Sequence, residues 1–236
     1  DPGKSMSTEL KTIGITGATG LVGRALVADL SKTFAVVAIA RDSQALAKLV
    51  QSVEPQAISK PIARVADVCD LTALEQAFVG LDIVIHAAGF VDPLADRQLI
   101  LSINTGGTAN AMKAADKAGV QQFIQISSLS VITGQGDQFN LDESAPLQLC
   151  GEAYADSKVE AEKVVMGFFD KFNCTIVRPP AVYGPRDYAI YEYFKSMSRG
   201  LQPMIGFDNK LVSLIHGVDL VRGFILAGEK EISSSS

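Results

Sequence analysis

Tyr154 and Lys158 stand four residues apart in Tyr154-Ala155-Asp156-Ser157-Lys158. On a helix that spacing puts a phenol and an ammonium on one face. A phenol titrates near 10 in water, and a neighbouring positive charge favours its anion and lowers that value. Tyr154 can then exchange a proton with a substrate alcohol or carbonyl near neutral pH. Upstream, Ser127-Ser128 closes a short apolar run, which places the Ser128 hydroxyl to orient a substrate oxygen. Tyr-x-x-x-Lys alone is weak, because any long helix can carry it by chance.

Its weight comes from Thr16-Gly17-Ala18-Thr19-Gly20-Leu21-Val22-Gly23-Arg24, between a strand pattern and a helix pattern. Gly17 allows a tight turn, Gly20 lets backbone approach phosphate, and Gly23 lets helix and strand pack closely. With Thr19, Leu21 and Val22 the turn suits a dinucleotide pyrophosphate, met by the amides of a helix N-terminus. The second strand ends in Arg41-Asp42, where an acidic residue alone would accept the ribose 2′-hydroxyl and repel a 2′-phosphate. A guanidinium there pairs with phosphate and favours NADP. The alternative is a surface Arg41 with Asp42 taking the ribose of NAD. Asp67-Val68 is placed to contact adenine, and the small residues Ala87-Ala88-Gly89 permit close approach of the cofactor. Lys158 would hold the nicotinamide ribose, and an oxidised nicotinamide would join its ammonium in favouring the Tyr154 anion. His86, at the end of the fourth strand, reads as a packed, hydrogen-bonded histidine rather than a base.

These groups need an alternating scaffold. Short Val- and Ile-rich runs at 12–16, 34–40, 62–65, 83–86, 123–127 and 175–178 read as strands covered on both faces. Helical patterns at 21–30, 43–51, 71–78, 104–118 and 152–169 lie between them, with Gly80, Gly119 and Gly200 just past helical segments. The alternation predicts an α/β fold with a doubly wound parallel sheet.

Composition narrows the function. The chain has 236 residues, 47% apolar and 20% charged, enough for one large domain or one with a small appendage. A net charge of −5 without a Lys/Arg stripe argues against nucleic acid as a partner. Cys69, Cys150 and Cys174 are scattered with no CxxC pair, and His86 and His216 are the only histidines, so no metal site is expected. The spread of cysteines points to a reducing, cytoplasmic setting. No apolar run approaches the roughly 20 residues of a membrane helix. Residues 1–5 read as a cloning remnant ahead of Met6, residues 6–178 as the dinucleotide-binding domain, and 179–236 as a substrate-binding region interleaved with the last sheet elements.

The chain resembles the short-chain dehydrogenase/reductase family, extended branch, nearly end to end. The glycine turn carries that resemblance with the Asp67 turn, His86-Ala87-Ala88-Gly89, Asn104-Thr105-Gly106-Gly107-Thr108, Ser127-Ser128, Tyr154–Lys158 and Arg178-Pro179-Pro180-Ala181-Val182-Tyr183-Gly184-Pro185-Arg186-Asp187. It implies a Rossmann fold, Asn104 as a fourth catalytic-site residue supporting a water relay behind Lys158, and Pro179, Ala181 and Val182 cradling the nicotinamide. Sugar-nucleotide epimerases and dehydratases usually read Val-Tyr-Gly after the serine pair. Here Val131-Ile132-Thr133-Gly134 stands there, closer to 3β-hydroxysteroid and sterol-carboxylate dehydrogenases, while Ala40-Arg41-Asp42 resembles dihydroflavonol reductases.

The resemblance therefore implies an NADP(H)-dependent oxidoreductase for a secondary alcohol or ketone of small-molecule type. The alternatives are a nucleotide-sugar epimerase/dehydratase with retained NAD, or a non-catalytic dinucleotide sensor. Arg186 and Arg199 could meet a sugar diphosphate. Family members continue well past the helix at 218–228, so the substrate region is expected to be truncated. The family also implies a homodimer through helices 104–118 and 152–169. Val159, Met166 and Phe169 fall off the sheet-facing stripe of Ala153, Ala161, Val164, Val165 and Phe168. The alternative is a monomer with Met166 and Phe169 packed under the following turn.

Overall fold

Strands β1 (Thr12–Thr16), β2 (Ala35–Ala40), β3 (Ile62–Val65), β4 (Ile83–His86), β5 (Gln122–Ile126) and β6 (Asn173–Val177) form one sheet in the order β3-β2-β1-β4-β5-β6. Every pairing is parallel. The order reverses between β1 and β4, opening a crevice at their carboxyl ends where ligands bind in such sheets. The computed structural model describes residues 10–134, 140–185, 187–200 and 212–233. Residues 1–5, read above as a remnant, and Arg186 lie outside the described residues.

The helices are α1 (Leu21–Leu30), α2 (Ser43–Val53), α3 (Leu71–Ala77), α4 (Arg97–Leu101), α5 (Gly107–Ala118), α6 (Ser130–Thr133), α7 (Ala153–Met166), α8 (Tyr188–Ser198) and α9 (Gly217–Ser233). Leu26, Val27 and Leu30 of α1, with Leu220, Val221 and Phe224 of α9, cover Ile13, Ile15, Ile85 and Ile124 on one face. Leu74, Ala111, Met112, Ala115 and Val165 cover Val37, Ile39, Val84 and Phe123 on the other. Each large side chain buried this way stabilises the fold by about 1.5–3 kcal/mol. The result is the doubly wound Rossmann arrangement that the alternation of patterns predicts.

Local chemistry sets the element ends. Asp42 and Asp70 cap α2 and α3 by accepting the amides of Ala45 and Ala73 at 2.9 and 3.0 Å. Gly119, at φ +71°, ends α5 in the left-handed conformation.

Two expectations need correction. β3 is not covered on both faces: Ile62 and Val65 are more than half exposed, because β3 is the sheet's outer edge. The helix expected over 104–118 begins at Arg97 and is interrupted by a π turn, Ser102–Gly106, before α5. A short parallel pair, β7 (Ala181–Tyr183) with β8 (Leu214–His216), stands apart from the main sheet.

Candidate active site

The glycine turn joins β1 to α1 at the crevice. Gly17 has φ +64°, and a β-carbon there would lie 2.7 Å from the backbone of Ala88. One on Gly23 would lie 2.2 Å from the Gly17 carbonyl oxygen, so α1 leaves no room for a side chain. Gly20 donates its amide back to Gly17 O at 2.9 Å, and Leu21 and Val22 open α1. The Thr19 carbonyl accepts Arg24 Nε at 2.7 Å, folding that arginine over the turn. This cradle is bare backbone at a helix N-terminus, which fits a dinucleotide pyrophosphate.

Arg41 and Asp67 face each other at the ends of β2 and β3, Nη1 to Oδ2 3.8 Å, the arginine largely exposed and the aspartate partly so. Asp67 also accepts the Cys69 amide at 2.9 Å, which fixes the turn carrying Val68. Asp42 is committed to its cap on α2. Across the crevice, Ala88 N donates to Thr16 Oγ1 at 3.3 Å, holding Ala87-Ala88-Gly89 against the end of β1. Leu129 N donates to Pro179 O at 2.8 Å, tying the loop after Ser128 to the chain entering β7, where Ala181 and Val182 lie.

Four predicted side chains converge at the open ends of β4 and β5. Tyr154 and Lys158 share a face of α7, with Nζ 5.8 Å from the centre of the tyrosine ring. Lys158 is buried and donates to the Ile126 carbonyl at 3.0 Å. Burial lowers its pKa to about 8, against the opposing pull of Glu162. Ser128 Oγ accepts from Ser130 Oγ at 2.9 Å, and it lies near enough to Tyr154 to favour the phenolate. The lowering expected of the Tyr154 phenol calls for an oxidised nicotinamide as well as the ammonium, and the chain's own groups act on it in both directions. Burial raises its pKa, Ser128 opposes this, and Glu152 adds to the rise.

Asn104 sits on the π turn and is buried. Its Oδ1 accepts Phe90 N at 2.7 Å, and its Nδ2 donates to Phe90 O at 3.1 Å and Ser157 Oγ at 2.9 Å. It thus clamps the chain after Gly89 to α7. A β-carbon on Gly89 would come 3.3 Å from Lys158 Nζ and 3.6 Å from Asn104 Oδ1, so this glycine gives the ammonium its space. His86 is fully buried, its Nδ1 2.8 Å from Thr16 Oγ1. Burial, then the nearby Lys158 charge, pushes its pKa down to about 3, so it is a neutral packed histidine.

Sequence reasoning missed two acidic anchors on the same helix. Asp156 Oδ2 accepts Arg97 Nη2 at 2.7 Å, and its Oδ1 accepts the amides of Cys150 and Gly151 at 2.9 and 3.2 Å. It fixes the chain leading into Tyr154. Glu162, fully buried, accepts Arg178 Nε and Nη2 at 2.8–3.3 Å. The available signal for Glu162 was its place between Ala161 and Val165 on the apolar stripe, where a charge needs a partner.

Among the described residues no helix is long and apolar enough to cross a membrane. A model of the 3-beta hydroxysteroid dehydrogenase/isomerase family matches residues 14–234. The chain is 30% identical over 239 residues to a 3-beta-hydroxysteroid dehydrogenase of Mycolicibacterium neoaurum, covering 95% of this chain and 63% of that protein. It is 31% identical over 231 residues to UDP-glucose 4-epimerase of Vibrio cholerae, covering 89% and 65%. Its fold is similar to that of DesIV, a dTDP-glucose 4,6-dehydratase from Streptomyces venezuelae solved with NAD and TYD, with TM-score 0.75, 22% identity, and coverage of 90% and 70%.

Proposed function

The chain belongs to the 3-beta hydroxysteroid dehydrogenase/isomerase family, and we propose that it is an NADP(H)-dependent oxidoreductase of a secondary alcohol or ketone. The observation that carries this reading is the Tyr154 phenol, with Ser128 near enough to favour its anion and the Lys158 ammonium 5.8 Å from the centre of its ring. Gly17, Thr19, Gly20, Leu21, Val22 and Gly23 bind the pyrophosphate, and Asp67, Val68, Ala87, Ala88 and Gly89 line the adenine side and the floor. Pro179, Ala181 and Val182 flank the nicotinamide end. Bound there, the dinucleotide gives or takes the hydride.

The chain's own work is proton handling and orientation. Ser128 and Tyr154 polarise the substrate oxygen, and Tyr154 gives it a proton in the reductive direction. The raised phenol keeps that proton available, while the ammonium of Lys158 favours the anion left behind. Asn104 holds Ser157 and the Phe90 backbone, so α7 and the cofactor floor keep their spacing. Arg41 selects the 2′-phosphate. Its only acidic neighbour among the described contacts is the loosely paired Asp67, and Asp42 is spent on a cap.

A second reading, epimerisation or dehydration of a nucleotide sugar with retained NAD, is supported by the likeness to UDP-glucose 4-epimerase. A screen of sterol, flavonoid and nucleotide-sugar candidates, following absorbance of reduced nicotinamide, tests the first reading. NAD that co-purifies without exchanging, seen by native mass spectrometry, supports the second and sinks the first.

We also propose a cytoplasmic homodimer through α5 and α7. Met166 and Phe169 are exposed as that requires, but Val159 is not: it is buried against Val131 and Ile132 of α6. Light scattering on the full chain tests the dimer.

A further inference from the structure

The buried polar groups beneath Lys158 are not used by the reaction just described. The Ile126 carbonyl accepts two donors, Lys158 Nζ at 3.0 Å and Gln125 Nε2 at 3.2 Å. Gln125 is 1% exposed. Its register partner on β4 is His86, whose own register partner on β1 is Thr16. Register partners on adjacent parallel strands project from the same face, so the three side chains form a row across the sheet's end.

Hydrogen-bond accounting gives the row a direction. Thr16 Oγ1 accepts the Ala88 amide and pairs with His86 Nδ1. Gln125 must turn its amide nitrogen to the Ile126 carbonyl, since its oxygen there would face another oxygen. Its Oε1 is then left as a buried acceptor. Among the described residues, Gln125 Oε1 and His86 Nε2 are both buried without a hydrogen-bond partner. A buried acceptor beside a ring nitrogen calls for a proton on that nitrogen, because leaving both unpaired costs about 1–3 kcal/mol each. A small side-chain adjustment or one bridging water joins them.

We propose that Gln125 is a positioning residue for Lys158, closing a hydrogen-bonded row Thr16–His86–Gln125 that runs from the glycine turn to the Ile126 carbonyl. His86 is the Nε2–H tautomer in that row, taking the Thr16 proton on Nδ1 and presenting its own to Gln125. The amide of Gln125 shares the carbonyl with the ammonium and limits how tightly that carbonyl holds it. Lys158 thereby stays free to lean towards Tyr154. The importance of this for turnover rests on the place of Lys158 in the proposed reaction. The charged or titratable groups around the ammonium are Tyr154 and Glu162 on α7 and His86 on β4. Asp156 is engaged on the other side by Arg97 and the 150–151 amides.

The test reads the residues directly. With 15N-labelled lysine and histidine in the intact protein, the Lys158 resonance is assigned by its loss in Lys158→Met. Its titration midpoint is expected near 8. Gln125→Glu should carry that midpoint up by about one unit or more, as an opposite charge in contact does. Gln125→Met, the variant to use should the carboxylate prevent folding, removes a competing donor and should move it up by a smaller, resolvable step. His86 should show the Nε2–H pattern in the wild type. A Lys158 midpoint unmoved in a folded Gln125 variant, or an Nδ1–H His86 in the wild type, overturns the proposal. Turnover retained in Lys158→Met would instead sink the proposed reaction, leaving these spectroscopic outcomes to decide the row.

Discussion

Arg178 grips Glu162 with Nε and Nη2 at 2.8–3.3 Å while its Nη1 donates to the Glu143 carbonyl at 3.2 Å. One guanidinium thus neutralises a fully buried carboxylate on α7 and ties down the chain that approaches that helix. Glu162 lies one turn beyond Lys158 and pulls its pKa upward, against burial. The pair therefore supports the helix that carries the proton-handling groups.

Removing one partner should expose its cost. Arg178→Met leaves the Glu162 carboxylate buried and unpaired, which destabilises by about 3–5 kcal/mol. Adding Glu162→Gln should restore part of that loss. Urea unfolding of the three proteins checks it, and an Arg178→Met midpoint equal to wild type would show the pair to be idle.

Tyr154→Phe removes the phenolic proton and keeps the ring. Turnover should fall by about 10²–10⁴-fold while the dinucleotide dissociation constant barely changes. Stopped-flow turnover alongside fluorescence titration separates the two effects. Equal loss in both would assign Tyr154 to binding rather than proton transfer.

Catalysis should also fade at alkaline pH. The Lys158 pKa is depressed to about 8, so its ammonium is lost as pH rises through that value. Reduction should then fall on a basic limb near 8. A rate flat through pH 9 would place no titrating lysine in the mechanism.

The strands and the glycine turn were legible because each rests on a local rule: apolar runs between turn residues, or glycines where no β-carbon fits. Ile62–Val65 and Ile83–His86 emerge with the boundaries their patterns predict. The exposure of β3 was not legible, because edge position depends on sheet order rather than on any residue in the strand. The same holds for the π turn at Asn104, which exists to aim one side chain at Phe90 and Ser157. The burial that raises Tyr154 was not legible for a related reason: it is a property of the packed site, whereas the Tyr154–Lys158 pairing could be read from spacing alone.

Cofactor choice is testable at one position. Arg41→Asp replaces a cation with an anion opposite the expected 2′-phosphate. A charged hydrogen bond contributes about 1.5–3 kcal/mol, so NADP affinity should drop at least about tenfold, with NAD far less affected. Calorimetric titration of both dinucleotides decides it. Tighter NAD than NADP binding by the wild type would overturn the NADP assignment.

His86 should make the fold acid-sensitive. Its folded pKa is about 3, against 6.5 for the free side chain. Between these values the unfolded chain takes up a proton that the buried ring refuses, so stability falls as pH drops from 6.5 towards 3. The slope attributable to this one group is about 1.4 kcal/mol per pH unit through that window. Above 6.5 neither state binds the proton, and the contribution is constant. His86→Gln keeps a neutral polar side chain beside Thr16 and removes the titration. Its stability should therefore decline less steeply in acid than that of the wild type, while carboxylate effects common to both cancel in the difference. Denaturant unfolding of the two proteins at pH 7, 5.5 and 4.5 measures that difference directly. Parallel curves would mean that His86 is protonated in the folded chain or reaches solvent before unfolding.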